Sequence, residues 1–182
     1  MKLYYSLITK DNIDLAIKIQ NEIFPNEDSS ELYKLSIEGT DIYPILKYYI
    51  VYDNEKKFQE NIVGVTGIYT YKGYPNDAWI GYFGVIESKR HKGFGCQMLK
   101  DFEDYAKKEG FKTIRLFTNK ILFPDAFKLY IKYGFTYEKY TNFPKKLDDV
   151  IMNNEYVFSK SLVNEEVDKW DNKLIIDFEL FH

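Results

Sequence analysis

The sequence predicts an α/β (α+β) fold built on a mixed, mostly antiparallel sheet of six or seven strands, flanked by about four helices. Two observations support this fold class. In the first half of the chain, β-rich runs are separated by short turns, which is typical of an antiparallel meander. In the second half, strands alternate with amphipathic helices, and such an order brings parallel strands together through right-handed crossovers.

The first elements are a strand and two helices. Asp11 stands in the N-cap position of an amphipathic helix, and Pro25 stops that helix. Asp28 and Glu31, three residues apart, resemble a capping box at the start of a short second helix. The predicted bounds are Leu3–Ile8 for the strand, Ile13 to Phe24 for the first helix, and Gly39 for the end of the second.

The middle of the chain contains three runs rich in β-branched and aromatic residues. The gaps between them hold turn residues, Asp53-Asn54 in the first and residues 73–77 (Gly-Tyr-Pro-Asn-Asp) in the second. The predicted strands of this meander are Leu46–Tyr52, Ile62–Tyr71 and Ala78–Val85.

The second half alternates helices and strands. A helix with one apolar face runs from Gly93 to Lys108, and Gly110 is expected to end it. The strands on either side of this helix should pair in parallel. The later predicted elements are a strand at Thr113–Thr118, a helix at Pro124–Tyr133, a strand at Phe135–Tyr140, a loop around Pro144 and a strand at Glu155–Lys160.

No linker divides residues 1–160, which are therefore predicted to form one domain. Residues 161–182 form a C-terminal extension, in which Lys173–Phe181 alternates apolar and charged residues. This alternation indicates either an added strand or a homodimer contact.

Charge and composition exclude several classes of function. The formal net charge is −3 and no basic stripe runs along the chain, which argues against a nucleic-acid partner. No apolar stretch is long enough for a signal peptide or a membrane span, so a cytoplasmic protein is expected. Cys96 is the one cysteine, which excludes an internal disulfide and a cysteine-cluster metal site. No metal is expected.

The most informative segment is Arg90-His91-Lys92-Gly93-Phe94-Gly95, between an apolar strand and a helix. A glycine-rich turn at a helix N-terminus presents backbone N–H groups and the positive end of the helix dipole to a phosphate or pyrophosphate. Taken alone, the same turn is also explained by packing geometry. A dinucleotide fingerprint fits poorly because its third glycine would fall at Met98, and no Gly-Lys-Ser/Thr sequence supports a P-loop.

The order of the motifs resembles the GNAT acetyltransferase superfamily over residues 60–140. Its phosphate-binding signature, Gln/Arg-x-x-Gly-x-Gly/Ala, matches residues 90–95, and Val85 matches the end of its upstream strand. Ala126-Phe127-Lys128-Leu129-Tyr130 and Gly134-Phe135 match the next two motifs in order. The resemblance implies a splayed central pair of parallel strands and an N-acetyltransferase that uses acetyl-CoA as cosubstrate. A non-catalytic acyl-CoA-binding sensor of the same fold is the alternative.

The resemblance also implies roles for single residues. Backbone donors on the strand ending at Val85 would hold the cosubstrate, and a bulge expected at Gly84 would free them, although Gly84 is also explained as a packing glycine. Tyr130 would be the general acid, since a phenol of pKa about 10 is protonated at pH 7. Many family members have an asparagine three residues before the position of Ala126. Here that position is Phe123, so Asn119 is expected to supply the polar contact instead. The predicted acetyl-CoA contacts are Phe83, Val85, Arg90, His91, Lys92, Gly93, Phe94, Gly95, Cys96 and Asn119.

No general base is evident from the sequence. The position of the catalytic glutamate of some family members is Trp79 here. Asp77, Glu87 and a water relay are the remaining candidates, and without a strong base the rate should climb about tenfold per pH unit between pH 7 and 9.

The acceptor is expected to be the primary amine of a small molecule or a peptide. By the resemblance, segments 13–39 and 140–154 would form the walls of its site. The first segment is acidic, which suits a cationic amine but is equally explained by a solvated helix face. Its acidic residues are Glu22, Glu27, Asp28, Glu31 and Glu38.

Overall fold

The computed structural model describes residues 1–140 and 154–170, and it confirms the predicted mixed sheet flanked by helices. The described strands are β1 (Tyr4–Leu7), β2 (Leu46–Tyr52), β3 (Ile62–Tyr69), β4 (Asp77–Val85), β5 (Thr113–Asn119), β6 (Thr136–Lys139) and β7 (Glu155–Ser161). The described helices are α1 (Ile13–Ile23), α2 (Ser30–Glu38), α3 (Phe94–Lys108) and α4 (Pro124–Lys132). The predicted bounds agree with these to within two residues.

The strands form one sheet in the order β1-β2-β3-β4-β5-β7-β6. β2, β3 and β4 form the predicted antiparallel meander, and β1 pairs antiparallel with β2 across α1 and α2. β4 and β5 are parallel, and the chain crosses between them through α3. Their pairing extends only from Asp77↔Thr113 to Trp79↔Arg115, so the C-terminal halves of the two strands are splayed.

Helices cover the sheet on both faces. α3 and α4 pack on one face, against alternate residues of β4, β5 and β7 that include Ile80, Leu116 and Phe158. α1 and α2 pack on the other face, against Tyr48 and Ile50 of β2. We call these the α3/α4 face and the α1/α2 face.

Aromatic rings fill the part of the α1/α2 face near β5 and β7. The ring of Trp79 stacks on that of Phe117 at 4.6 Å between centroids and meets the ring of Trp170 at 4.6 Å. Trp170 also packs on Tyr74, so the described start of the C-terminal extension returns onto the sheet. The loop around Pro144 and the alternating segment 173–181 lie outside the described residues, and their predictions stay predictions.

Two predicted helix caps are wrong. The N-cap of α1 is Asn12 rather than Asp11, and its side chain accepts a hydrogen bond from the Thr9 N–H at 2.7 Å. The N-cap of α2 is Ser29 rather than Asp28. Asp28 and Glu31 therefore form no capping box: Asp28 accepts from the Ser30 N–H at 2.9 Å, and Glu31 pairs with Lys34 in solvent. Neither observed N-cap side chain bonds to its own helix, so local side-chain capping, on which the sequence prediction relied, does not fix these starts.

A buried ion pair holds β4 and β5 together where they still pair. Arg115 is 4% exposed, and its Nε donates to a carboxylate oxygen of Asp77 at 2.7 Å. The other guanidinium nitrogens donate to Ser159 Oγ at 2.8 Å and to the carbonyl of Asp168 at 2.9 Å. One side chain thus links β4, β5, β7 and the chain after β7.

Asp77→Ala should lower the free energy of unfolding by about 3–5 kcal/mol, because it leaves a buried guanidinium without its anion. The matched control is Glu31→Ala, which removes the exposed ion pair to Lys34 and should leave the stability unchanged within error. Urea unfolding monitored by tryptophan fluorescence measures both. Equal midpoints for the two variants would show that the Asp77–Arg115 pair does not stabilise this end of the sheet.

Candidate functional site

A cleft of about 400 Å³ lies between the C-terminal end of β4 and the N-terminal half of α4. The loop from Lys89 to Cys96 forms its floor, and Phe24 at the end of α1 closes one side. The cleft therefore occupies the open end of the splayed strand pair.

The end of β4 presents unpaired backbone groups to this cleft. The Ile86 N–H donates to the Val63 carbonyl of β3 at 2.9 Å, and Gly84 is paired with Val65. Because successive N–H groups point to opposite edges of a strand, those of Phe83 and Val85 point away from β3, towards the splay. Phe83 and Val85, two of the predicted acetyl-CoA contacts, both line the cleft.

A β-bulge precedes these donors, but it is not at Gly84 as predicted. Two residues of β4, Tyr82 and Phe83, stand opposite the single residue Thr66 of β3. Tyr82 has φ +38°, a left-handed conformation that accompanies the bulge. Gly84 itself pairs in register, and a Cβ there would lie 2.4 Å from Cγ2 of Ile23. Gly84 is therefore the packing glycine that lets the end of α1 approach β4.

The glycine-rich turn begins α3. Gly93 is its N-cap with φ +84°, and a Cβ built there would meet no atom within 4 Å, so the space over this residue is open. The N–H groups of the next three residues, 94–96, begin the helix and have no carbonyl one turn before them. A helix of 15 residues adds the positive end of its dipole. The turn is thus an anion cradle open to the cleft.

The basic residues of this turn differ in their placement. Arg90 and His91 line the cleft, and Arg90 Nε also donates to the Val85 carbonyl at 3.0 Å, which ties the turn to β4. Lys92 is not among the lining residues, because its ammonium group donates to the Ser88 carbonyl at 2.8 Å. Four more of the predicted acetyl-CoA contacts line the cleft: Gly93, Phe94, Gly95 and the exposed Cys96.

Asn119 does not line the cleft; it shapes the loop that does. Its Oδ1 accepts from the N–H groups of Ile121 and Leu122 at 2.9 and 3.1 Å. Its Nδ2 donates to a carboxylate oxygen of Glu155 at 3.2 Å. Leu122 lines the cleft, and the cosubstrate contact of Asn119 stays a prediction.

Tyr130 lies behind the cleft wall, on the α3/α4 face. Its ring is 4% exposed and packs against Phe83 at 6.1 Å, Phe158 at 5.5 Å and Phe135 at 5.8 Å between centroids. Burial raises the pKa of the Tyr130 hydroxyl above its ordinary value, so the group is protonated at neutral pH. Phe83 lines the cleft, but Tyr130 is not among the lining residues.

The structure excludes one of the two predicted base candidates. Asp77 begins β4 and Val85 ends it, which puts their Cα atoms about 26 Å apart at about 3.3 Å per residue. The carboxylate of Asp77 is also paired with the guanidinium group of Arg115. Glu87 is exposed in the turn after β4 and does not line the cleft.

Sequence reasoning missed Glu155, the first residue of β7. The pKa of its carboxyl group is raised to about 7: burial is the main cause and the charge of Glu27 adds to it, while the hydrogen bond from Asn119 acts in the opposite direction. Glu155 stood in the sequence as an ordinary strand residue. Only the pairing of β7 with β5, which sets it opposite Asn119, reveals its surroundings.

The acidic residues of the first predicted acceptor wall separate into two groups. Glu27 is partly buried, and burial raises its pKa. The pKa of the Tyr82 hydroxyl is raised to about 12, mainly by burial and further by the charges of Glu27 and Asp28. The other four, Glu22, Asp28, Glu31 and Glu38, are exposed, as expected of a solvated helix face. The second wall, residues 140–154, lies almost wholly outside the described part.

Residues 1–140 and 154–170 contain neither a candidate metal site nor a candidate membrane span. These residues contain no group of three or more His, Cys, Asp or Glu side chains able to hold a metal ion. None of the helices they form has the length and apolar character needed to cross a membrane.

Comparisons with known proteins agree with this geometry. The family model described as the acetyltransferase (GNAT) family matches residues 13–135. Among solved structures, the chain is similar to the ribosomal-protein-S18-alanine N-acetyltransferase of Escherichia coli, with TM-score 0.65 and 12% identity over 93% of this chain and 100% of that chain. It is also similar to a GNAT-family acetyltransferase of Staphylococcus aureus Mu50, with TM-score 0.65 and 18% identity over 88% of this chain and 99% of that chain.

A third similar structure is NAA60 of Arabidopsis thaliana in complex with acetyl-CoA, with TM-score 0.63 and 15% identity over 88% of this chain and 98% of that chain. At these identities the likeness shows the fold. No curated protein sequence matches the chain significantly.

Proposed function

The chain belongs to the GNAT acetyltransferase family, and from this premise we propose that it transfers the acetyl group of acetyl-CoA to a primary amine of a small molecule or a protein. One observation carries the proposal. The free N–H groups at the end of β4 and the anion cradle at the start of α3 line one continuous cleft. The cytoplasmic location and the homodimer stay predictions.

The residues around the cleft fit acetyl-CoA in chemistry. A diphosphate needs N–H donors, positive charge and room for close approach, which the N–H groups of residues 93–96, Arg90 and His91 would supply. The pantetheine arm carries amide groups that would pair with the free edge of β4 at Phe83 and Val85. Bound acetyl-CoA would supply a thioester whose carbonyl carbon accepts the amine.

Three residues would share the acyl-transfer chemistry in this proposal. The N–H groups of Phe83 and Val85 would polarise the thioester carbonyl and stabilise its developing negative charge. Tyr130 would protonate the leaving thiolate. Its raised pKa keeps the hydroxyl protonated until a thiolate forms nearby, and its contact with the Phe83 ring sets it beside the wall of the cleft.

The proposed function is tested by thermal shift with acetyl-CoA and then by CoA release on a panel of alkylamines and peptides. We expect a rise in melting temperature, followed by turnover on at least one amine. The absence of a shift would contradict the proposal. A shift without turnover on a broad panel would favour the alternative, a non-catalytic acyl-CoA-binding module.

Gly93→Val should weaken acetyl-CoA binding at least about tenfold, because its side chain would fill the open space of the anion cradle. The matched control is Gly110→Val at the other end of α3. Gly110 has the same φ, +84°, and equally open surroundings, so it carries the same backbone strain away from the cleft. Calorimetry with acetyl-CoA measures both. Equal affinities in the two variants would show that the turn only shapes the chain.

Tyr130→Phe should lower kcat about 10²–10⁴-fold and leave acetyl-CoA affinity nearly intact, because the hydroxyl acts only as the thiolate forms. Tyr133→Phe is the control on the same stretch of chain; its ring packs under Lys160, and it is not among the residues that line the cleft. Steady-state kinetics and calorimetry separate the two effects. Parental turnover in Tyr130→Phe would make this ring a packing residue and require another acid.

A further inference from the structure

We propose that Glu155 is the general base of the proposed reaction and takes the proton from the ammonium group of the acceptor amine. This inference rests on the proposed function and adds to it the group that the sequence does not reveal. It is carried by the position of Glu155 at the splay, by its location on the sheet face opposite Tyr130, and by the lack of an ion-pair partner for it among residues 1–140 and 154–170.

Glu155 lies at the open end of the splayed strands. β4 and β5 are parallel, so their splayed C-terminal ends, Val85 and Asn119, lie at the same edge of the sheet. β7 runs antiparallel to β5, which puts its first residue, Glu155, directly opposite Asn119 at that same edge. The hydrogen bond from Asn119 links this carboxylate to the loop of Leu122, which lines the cleft.

The alternation of side chains along β7 sets the face on which Glu155 lies. Phe158 packs with Tyr130 on the α3/α4 face, and Val157 packs with Trp79 and Phe117 on the α1/α2 face. Glu155 shares the parity of Val157 and therefore faces the α1/α2 side. Base and acid thus flank the splay from opposite faces, so that an amine could enter on one side while the thiolate is protonated on the other.

Among the described titratable groups near Glu155, one carboxylate acts on its charge, and two lysines lie on the other face of the sheet. The carboxylate of Glu27, in the connection between α1 and α2, acts on it through space, and the buried ring of Tyr140 follows β6 nearby. Lys120, just after β5, lies over the Phe127 ring on the other face. Lys139 of β6 pairs with Tyr156, whose side chain also packs on that face.

The described residues include no ion-pair partner for Glu155. A partly buried carboxylate without a cation has a raised pKa, which here is about 7. Such a group is about half ionised at neutral pH and is a far stronger base than a solvated glutamate. This is the balance of ionisation and basicity that general-base catalysis requires.

The proton balance of the reaction is complete. The ionised carboxylate of Glu155 accepts one proton from the ammonium, and the freed lone pair forms the C–N bond at the thioester carbon. The C–S bond then breaks, and the thiolate receives a proton from the Tyr130 hydroxyl, which is replaced by the second proton leaving the nitrogen. Glu155 finally releases its proton to water, so the products are an amide, a thiol and one proton.

The experiment is the pH profile of kcat/KM for the best amine, from pH 5.5 to 10, with saturating acetyl-CoA. In the parent we expect a rise that levels off with an apparent pKa of about 7. In Glu155→Gln the side-chain amide oxygen can still accept the hydrogen bond from Asn119, but the amide cannot take a proton from the amine. At pH 7 it should be slower by about 10²-fold or more, and its rate should climb about tenfold per pH unit through pH 7–9, because only the neutral amine then reacts.

The matched control is Glu27→Gln. Removing this negative charge should lower the apparent pKa of the plateau and keep the plateau itself, because Glu27 only raises the pKa of Glu155. A plateau that survives in Glu155→Gln, or one that disappears in Glu27→Gln alone, would overturn the assignment. A parent that binds acetyl-CoA but acetylates no amine would instead overturn the proposed function, and the parent profile distinguishes the two failures. Melting curves of both variants exclude misfolding as the cause.

Discussion

Hydrogen bonding between β4 and β5 ends after Trp79, and the cleft exists because of that early end. The buried Asp77–Arg115 ion pair holds the two strands together at one end, while the bulge at Tyr82–Phe83 redirects β4 at the other. Interior N–H groups left without a strand partner are costly unless something else accepts from them. A ligand with amide carbonyls along its length is therefore the natural complement of this edge.

The same constraint arranges the chemistry on two faces. Side chains alternate along each strand, so a gap in the sheet can be reached from both sides at once. Tyr130 packs behind Phe83 on the α3/α4 face, whereas Glu155 lies on the α1/α2 side with Glu27 nearby. Tyr130, the proposed acid, lies in an apolar cluster that raises the pKa of its hydroxyl, and burial with the charge of Glu27 raises the pKa of Glu155, the proposed base.

Much of this arrangement could be predicted from the sequence because its signals are local. The strand order, the helix at Phe94–Lys108 and the glycine turn before it are encoded by periodicity and turn residues within short windows. The position of the bulge, the ion pair of Asp77 and the pairing of Asn119 with Glu155 depend on contacts between residues 36 or more apart in the chain, or on register within the sheet. No local pattern carries that information, so the sequence alone points to the carboxylates at the two ends of β4, Asp77 and Glu87, and not to Glu155 on β7.

Amide hydrogen exchange followed by NMR, with and without acetyl-CoA, tests most directly whether the splayed edge and the helix start bind one ligand together. With acetyl-CoA we expect slower exchange at the N–H groups of Phe83 and Val85 and at those of residues 93–96. We expect no change in the exchange rate at Gly110, beyond the far end of α3. Protection confined to other regions, or protection of the turn without the strand edge, would contradict the claim that the splay is the binding device.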